Sequence, residues 1–218
     1  MFAFPDKAAY GRTVPKNLIY ANARPSTRVK NLFVAEVGEI IWQYKLSPET
    51  VNLEAKDGYA EIQVFDLLLK TPELSPDVLE AMDKAVPYPV FYRLRHENRV
   101  KHAAAYKRPA QDGTGKWVVG NCYETRWGSA NKTGQPLPVA LDLKSLYEQM
   151  LLPYIPLPPV EGESLQDLVN REYRIRQIQR QLKELESKLK KEKQFNRKVE
   201  FNGEIRKLSA ELQGLFKI

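Results

Sequence analysis

An α+β fold is predicted, with a small mixed four-stranded sheet and packed helices followed by a C-terminal antiparallel coiled-coil helical hairpin. Three observations predict it. Between residues 61 and 123, four short runs mostly alternate in side-chain character from one residue to the next, which is the period of strands. Runs of helical spacing, opened by serine or closed by proline, lie before, between and after them. From Ser164 onward, Leu168, Ile175, Leu182 and Leu189 recur every seven residues with Ile178 and Leu185 between, the seam of a coiled coil. The 218 residues suffice for one substantial domain plus an appendage.

Residues Met1 to about Pro25 include Pro5, Gly11, Pro15 and Pro25 and little periodicity, so they read as an arm laid over the domain, with Leu18, Ile19 and Tyr20 as its anchor. Ser26 or Thr27 then caps a helix. Its apolar set Leu32, Phe33, Val37, Ile40, Ile41 and Tyr44 falls at helical spacing through Trp42, and the segment before Pro48 ends it. Glu61 to Leu69 reads as a strand, alternating at first and more buried towards its end. Ser75-Pro76 opens a helix that stops before Pro87.

Pro89 to Arg95 and Arg99 to Lys107 form a β-hairpin in which Asn98 takes the left-handed position of the turn. Val90, Tyr92 and Leu94 share one face of its first strand, Arg93 and Arg95 the other. A loop from Pro109 to Gly115, with Gly113-Thr114-Gly115-Lys116 as a turn, leads into the fourth strand, Lys116 to about Tyr123. After a Gly/Asn/Pro-rich loop from Gly128 to Pro138, Asp142 to Met150 forms another helix.

Pro153, Pro156, Pro158 and Pro159 make residues 153–163 a semi-rigid spacer, because each proline fixes φ and removes a donor. The predicted divisions are therefore 1–152, an α/β domain with its arm; 153–163, the spacer; and 164–218, a basic hairpin. Ser164 is the N-cap of the first hairpin helix. Phe201, Ile205, Leu208, Leu212 and Leu215 form the stripe of the second, and Gln194 to Lys198 interrupt the register between them. Folding back at that break gives an antiparallel hairpin; one continuous helix exposing both stripes, which requires a dimer, is the rival arrangement.

The net charge of +7 is unevenly placed. From Ser164 to Ile218 there are 14 Lys/Arg against 8 Asp/Glu, a net of +6, while the preceding residues are nearly balanced. Such a segment attracts phosphates or an acidic partner, or is a solvated face. No run approaches the roughly 20 apolar residues of a membrane span, and the first residues lack the layout of a signal peptide. The single cysteine, Cys122, cannot form an internal disulfide and reads as a strand residue of a reducing compartment. A cytoplasmic protein is expected.

The blocks Lys16–Tyr20, Pro25–Phe33, Trp42–Asn52, Ala105–Pro109, Trp117–Gly120, Leu137–Leu143 and Lys191–Lys198, in that order, resemble a prokaryotic family called domain of unknown function 4391. The resemblance covers essentially the whole chain. It implies no assigned activity and no catalytic residues. It does imply a setting beside helicases and DNA methyltransferases in restriction-like or anti-phage gene clusters, and hence a helicase or methyltransferase as partner.

The residues themselves contain no convincing catalytic site, and no cofactor or metal is expected. His96 and His102 flank a turn, and the one cysteine is far from them, short of a metal set. Gly113-Thr114-Gly115-Lys116 lacks the spacing of a phosphate loop. A metal-dependent nuclease needs clustered carboxylates with a lysine. The candidates are Glu61, Gln63, Asp66 and Lys70, with Glu36 and Glu39 on the preceding helix, but alternation puts Glu61 and Gln63 on the face opposite Asp66 and Lys70.

Binding has more support. Arg93, Arg95, Arg99, Lys101, Lys107 and Arg108 surround the β-hairpin, with Tyr106 and Trp117 as stacking faces, and Lys188, Lys190, Lys191, Lys193, Arg197 and Lys198 surround the helical turn. The function expected is that of a non-catalytic adaptor acting through the C-terminal hairpin. Direct DNA or RNA binding is the alternative, and a nuclease the third reading.

Overall fold

The computed structural model describes residues 2–112, 115–131 and 134–216. Gly113 and Thr114 of the predicted turn lie outside the described residues, as do Lys132 and Thr133 of the predicted loop. The chain divides into two units, Met1–Tyr154 and Ile155–Ile218.

The first unit is α+β, but its sheet is larger than predicted. Among the described residues it has seven strands rather than four: β1 (Ala9–Thr13), β2 (Val37–Leu46), β3 (Ile62–Leu69), β4 (Val90–His96), β5 (Arg99–Pro109), β6 (Trp117–Glu124) and β7 (Gly128–Ser129). The order is β1-β2-β3-β4-β5-β6, with β7 also paired to β5. Only β3 and β4 run parallel among these pairs, because a helical crossover joins them.

Two of the extra strands lie where other structure was expected. The predicted helix through Trp42 stops early: α2 (Thr27–Glu36) is capped by Ser26, whose Oγ accepts from Val29 N, and the chain then turns into β2. The pairing of β2 with β3 shifts register between Val37 and Glu39 and again between Trp42 and Tyr44. Each irregularity breaks the two-residue period, so the apolar residues of β2 imitate helical spacing. Gly38 sits at the first of them, where a Cβ would lie 3.1 Å from the carbonyl oxygen of Leu68. The expected arm contributes β1 to the edge of the sheet and then α1 (Lys16–Ala23), in which Ile19 is buried while Leu18 is exposed.

On one face of the sheet, Ile19 of α1 and Phe33 of α2 join Val78, Leu79 and Met82 of a further helix against Phe65, Leu67, Tyr92 and Leu94. A four-residue turn of helix, α3 (Pro48–Val51), precedes β3, and the further helix is α4 (Pro76–Ala85), beginning at proline as predicted. The other face is covered in part by α5 (Leu143–Leu151), whose N-cap Asp142 accepts from Ser145 N at 2.7 Å and whose Tyr147 ring lies 6.0 Å from that of Phe91. In the turn between β4 and β5 it is Glu97, not Asn98, that has positive φ (53°). His96 and Arg99 pair across it, so the loop has two residues, and the left-handed position is the first of them.

The second unit contains α6 (Leu165–Lys191) and α7 (Phe195–Phe216), broken at residues 192–194. Ser164 caps α6 through its Oγ and the N–H of Asp167. Arg174 Nε donates to Glu211 at 2.6 Å and Arg171 Nη1 to Leu215 O at 3.2 Å. These contacts set the end of α7 beside the first half of α6, so the helices pack antiparallel and the continuous helix is excluded. Among the described residues, no helix is long and apolar enough to cross a membrane.

Candidate functional site

Alternation along β4 turns Arg93 and Arg95 towards the face opposite α1, α2 and α4. The parallel register sets Asp66 of β3 opposite Arg93, and Nε and Nη2 of Arg93 both donate to the Asp66 carboxylate, the second at 2.8 Å. Arg95 Nε lies 3.1 Å from Asp66 Oδ2 without hydrogen-bond alignment. Tyr44 of β2 places its ring 5.2 Å from the Arg93 guanidinium, and the ring of Phe4 lies 4.7 Å from that of Tyr44.

His102 of β5 pairs with Arg93 across the sheet. Its backbone N–H donates to Thr125 Oγ1 at 3.0 Å, and its carbonyl accepts from Thr125 N at 2.8 Å. Burial, reinforced by the cations around it including Arg93 and Arg95, pushes the His102 imidazole down to about 4, so it is neutral at pH 7. A cavity of about 470 Å³ opens above this group, and Arg126 and Ser129 also line it.

The remaining β-hairpin cations go elsewhere. Arg99 and Lys101 each lie 5.6 Å from the ring of Trp127, and Lys101 also binds Glu124 at 2.5 Å. Arg108 is half-buried, one of its Nη groups 3.4 Å from Pro109 O. Lys107 is not on the surface. Its side chain is wholly buried, donating to Asp83 O (2.8 Å) and Val86 O (2.6 Å) at the end of α4, with Asp83 Oδ1 at 3.8 Å. Burial pushes the ammonium down to about 8 and the Asp83 carboxyl up to about 6, each opposed by the charge of the other. Lys107 is therefore a core residue, reached because alternation carries Lys101, Ala103, Ala105 and Lys107 onto the helical face. Tyr106 is buried as well, and Trp117 packs edge-on against Tyr59 at 5.2 Å, so neither offers a free stacking face.

In the second unit, Lys188, Lys190, Lys191, Lys193, Arg197 and Lys198 are all exposed around the turn. Glu192 shapes that turn: its carboxylate accepts from the N–H groups of Lys193 and Gln194, and Arg197 lies 3.9 Å away. The seam is thin. Leu182, Leu185, Leu189, Phe201, Ile205 and Leu208 are each half-exposed, and among the described residues none of α7 is buried.

The carboxylates weighed for a nuclease do not converge. Glu61 binds Lys45 at 3.0 Å and accepts from Gln63, while Asp66 is taken by the arginines on the opposite face. Among the described residues, no group of three or more His, Cys, Asp or Glu is placed to hold a metal ion. Cys122 is half-buried in β6, and burial pushes its thiol up to about 12, far from a reactive thiolate.

Sequence reasoning passed over Phe4, Tyr44, Arg126 and Trp127. Phe4 lies in the arm and Tyr44 in the strand mistaken for helix; the Thr125-Arg126-Trp127 run beyond β6 was the one visible signal, polar and aromatic residues side by side in a loop.

No curated protein and no solved structure matches the chain. The family described as Domain of unknown function (DUF4391) matches residues 2–212, nearly the whole length. With that match running through the first unit and most of the second, the chain belongs to the DUF4391 family.

Proposed function

We propose that the protein is a non-catalytic accessory protein of the prokaryotic cytoplasm that docks a partner protein through the α6–α7 hairpin, read as two strands of an antiparallel coiled coil open to a further helix. The observation that carries this reading is the half-exposed seam. Two helices bury only the line where they meet, and Leu182, Leu185, Leu189, Phe201, Ile205 and Leu208 keep apolar surface in water beside an open groove of about 420 Å³ lined by Leu185 and Leu208, with Lys188 and Lys207 balanced by Glu184 and Glu204. A partner helix with an apolar stripe complements the leucines of the groove, and acidic residues at one end of it complement the cationic turn. The gene setting that the family resemblance implies would make that partner a helicase or DNA methyltransferase of a restriction or anti-phage system.

The experiment is affinity capture of the tagged protein from its native host, with and without nuclease treatment. A helicase or methyltransferase retained after nuclease supports docking; partners lost on digestion turn the reading to nucleic acid. Direct nucleic-acid binding is the second reading, favoured by the Arg99–Trp127–Lys101 group, where two cations flank one indole.

A further inference from the structure

We propose that the cavity above Asp66, Arg93 and Arg95 binds a nucleoside 5′-phosphate, either free or at the end of a nucleic-acid strand, with Arg95 and Arg126 holding the phosphate and Phe4 and Tyr44 forming the wall for the base. The site lies wholly within the first unit and is independent of hairpin docking.

Charge is the first argument. The described residues that line the cavity include three arginines and no carboxylate. Asp66 beneath it spends both oxygens on Arg93, and it meets Arg95 through a single misaligned contact, so one negative charge faces two guanidinium groups. Arg95 makes no aligned hydrogen bond among the described residues, and its side chain is 40% exposed, anchored at one end and accessible at the other. Arg126 brings a third cation on an exposed loop. A planar guanidinium presents paired donors that match two oxygens of a phosphate.

The second argument is the unmet polar group. His102 Nε2 is buried without a hydrogen-bond partner among the described residues, and the same side chain lines the cavity. Orphaned polar atoms in a protein of otherwise paired groups mark places where a ligand or water completes the set. Arg93, locked by Asp66 and resting over Tyr44, is rigid, so the floor is organised before any ligand arrives.

Shape selects the rest of the ligand. About 470 Å³ falls within the roughly 300–1,000 Å³ of small-molecule sites. Phe4 and Tyr44, with ring centroids 4.7 Å apart, make one side aromatic, and Phe2 and Val100 add apolar lining elsewhere. An inorganic anion leaves that side empty, whereas a phosphate carried on a flat ring system fills it.

The test is titration calorimetry on the full chain at fixed ionic strength with adenosine 5′-monophosphate, adenosine, inorganic phosphate, sulfate, and oligothymidine with and without a 5′-phosphate. Binding of the mononucleotide or of the 5′-phosphorylated strand, at least about tenfold tighter than adenosine, sulfate or the unphosphorylated strand, supports the site. The mononucleotide as the tighter ligand identifies a free nucleotide, and the phosphorylated strand a nucleic-acid end. Arg95→Gln and Arg126→Gln are each expected to weaken that binding about tenfold, and Lys84→Gln on α4 to leave it unchanged. Because Arg126 is exposed, its variant reports on binding even where Arg95→Gln perturbs the fold. No binding of either phosphate ester at millimolar concentration, equal binding of sulfate, or wild-type affinity in Arg126→Gln with the fold intact overturns the proposal.

Discussion

Asp66 and Arg93 stand opposite each other on neighbouring parallel strands, and two nitrogens of the guanidinium donate to the carboxylate. The pair is nearly buried, with side-chain exposures of 6% and 12%. Removing the carboxylate leaves two guanidinium groups facing each other without a counter-charge. Asp66→Asn is therefore expected to destabilise the first unit by about 3 kcal/mol, read from urea unfolding. A change below about 0.5 kcal/mol means that water replaces the carboxylate freely and the cluster is not organised as described.

Lys107→Met tests the burial of this lysine beneath the end of α4. The substitution deprives the carbonyls of Asp83 and Val86, at the end of α4, of their donor and leaves the Asp83 carboxyl facing Tyr92 alone, at an expected cost of about 3 kcal/mol in unfolding free energy. Partner capture by the folded fraction stays unchanged. Wild-type stability in this variant contradicts the placement.

The pH dependence follows from His102. Its ordinary value is 6.5 and its folded value about 4, so between those limits the unfolded chain takes up a proton that the folded chain refuses. Stability from this group is complete above about pH 6.5 and falls as pH drops towards 4. Thermal unfolding from pH 7 to 4 is expected to show a shallower decline in His102→Gln than in the wild type. Parallel profiles mean that the ring takes up its proton as readily in the folded state as in the unfolded chain, contradicting its burial.

Leu185→Asp addresses the hairpin seam. Leu185 is half-buried and lines the same groove as Leu208 of α7, and a carboxylate there meets apolar surroundings, at an expected cost of about 1–3 kcal/mol. Hydrogen exchange should rise along α6 from Gln181 and along α7, while the sheet remains protected. Uniform protection across both helices contradicts a thin seam.

The legibility of the chain followed the regularity of its periods. The strands from β3 to β6, the start of α4 and the cap of α6 were readable because alternation, Ser-Pro and Ser-x-x-Asp act locally. β2 was misread because two register irregularities broke its alternation, and β1 because an edge strand of five exposed residues has no apolar face to announce it. The arginine face was visible as Arg93 and Arg95. Its partners were hidden, because Asp66, Tyr44, Phe4 and Arg126 come from four other segments that only the sheet order brings together. Lys107 shows the opposite failure, since a lysine at the end of a strand looks like a surface cation until α4 closes over it.

The hairpin account meets its most direct test in one comparison: the amount of partner captured after nuclease digestion by the wild type and by a variant with Lys188, Lys190, Lys191, Lys193, Arg197 and Lys198 changed to glutamine, across a salt series. The account predicts a protein partner that survives digestion, falls several-fold in the variant, and loses its salt dependence there as the fold remains intact. Equal capture by both forms at every salt concentration, or loss of the partner on digestion, contradicts it.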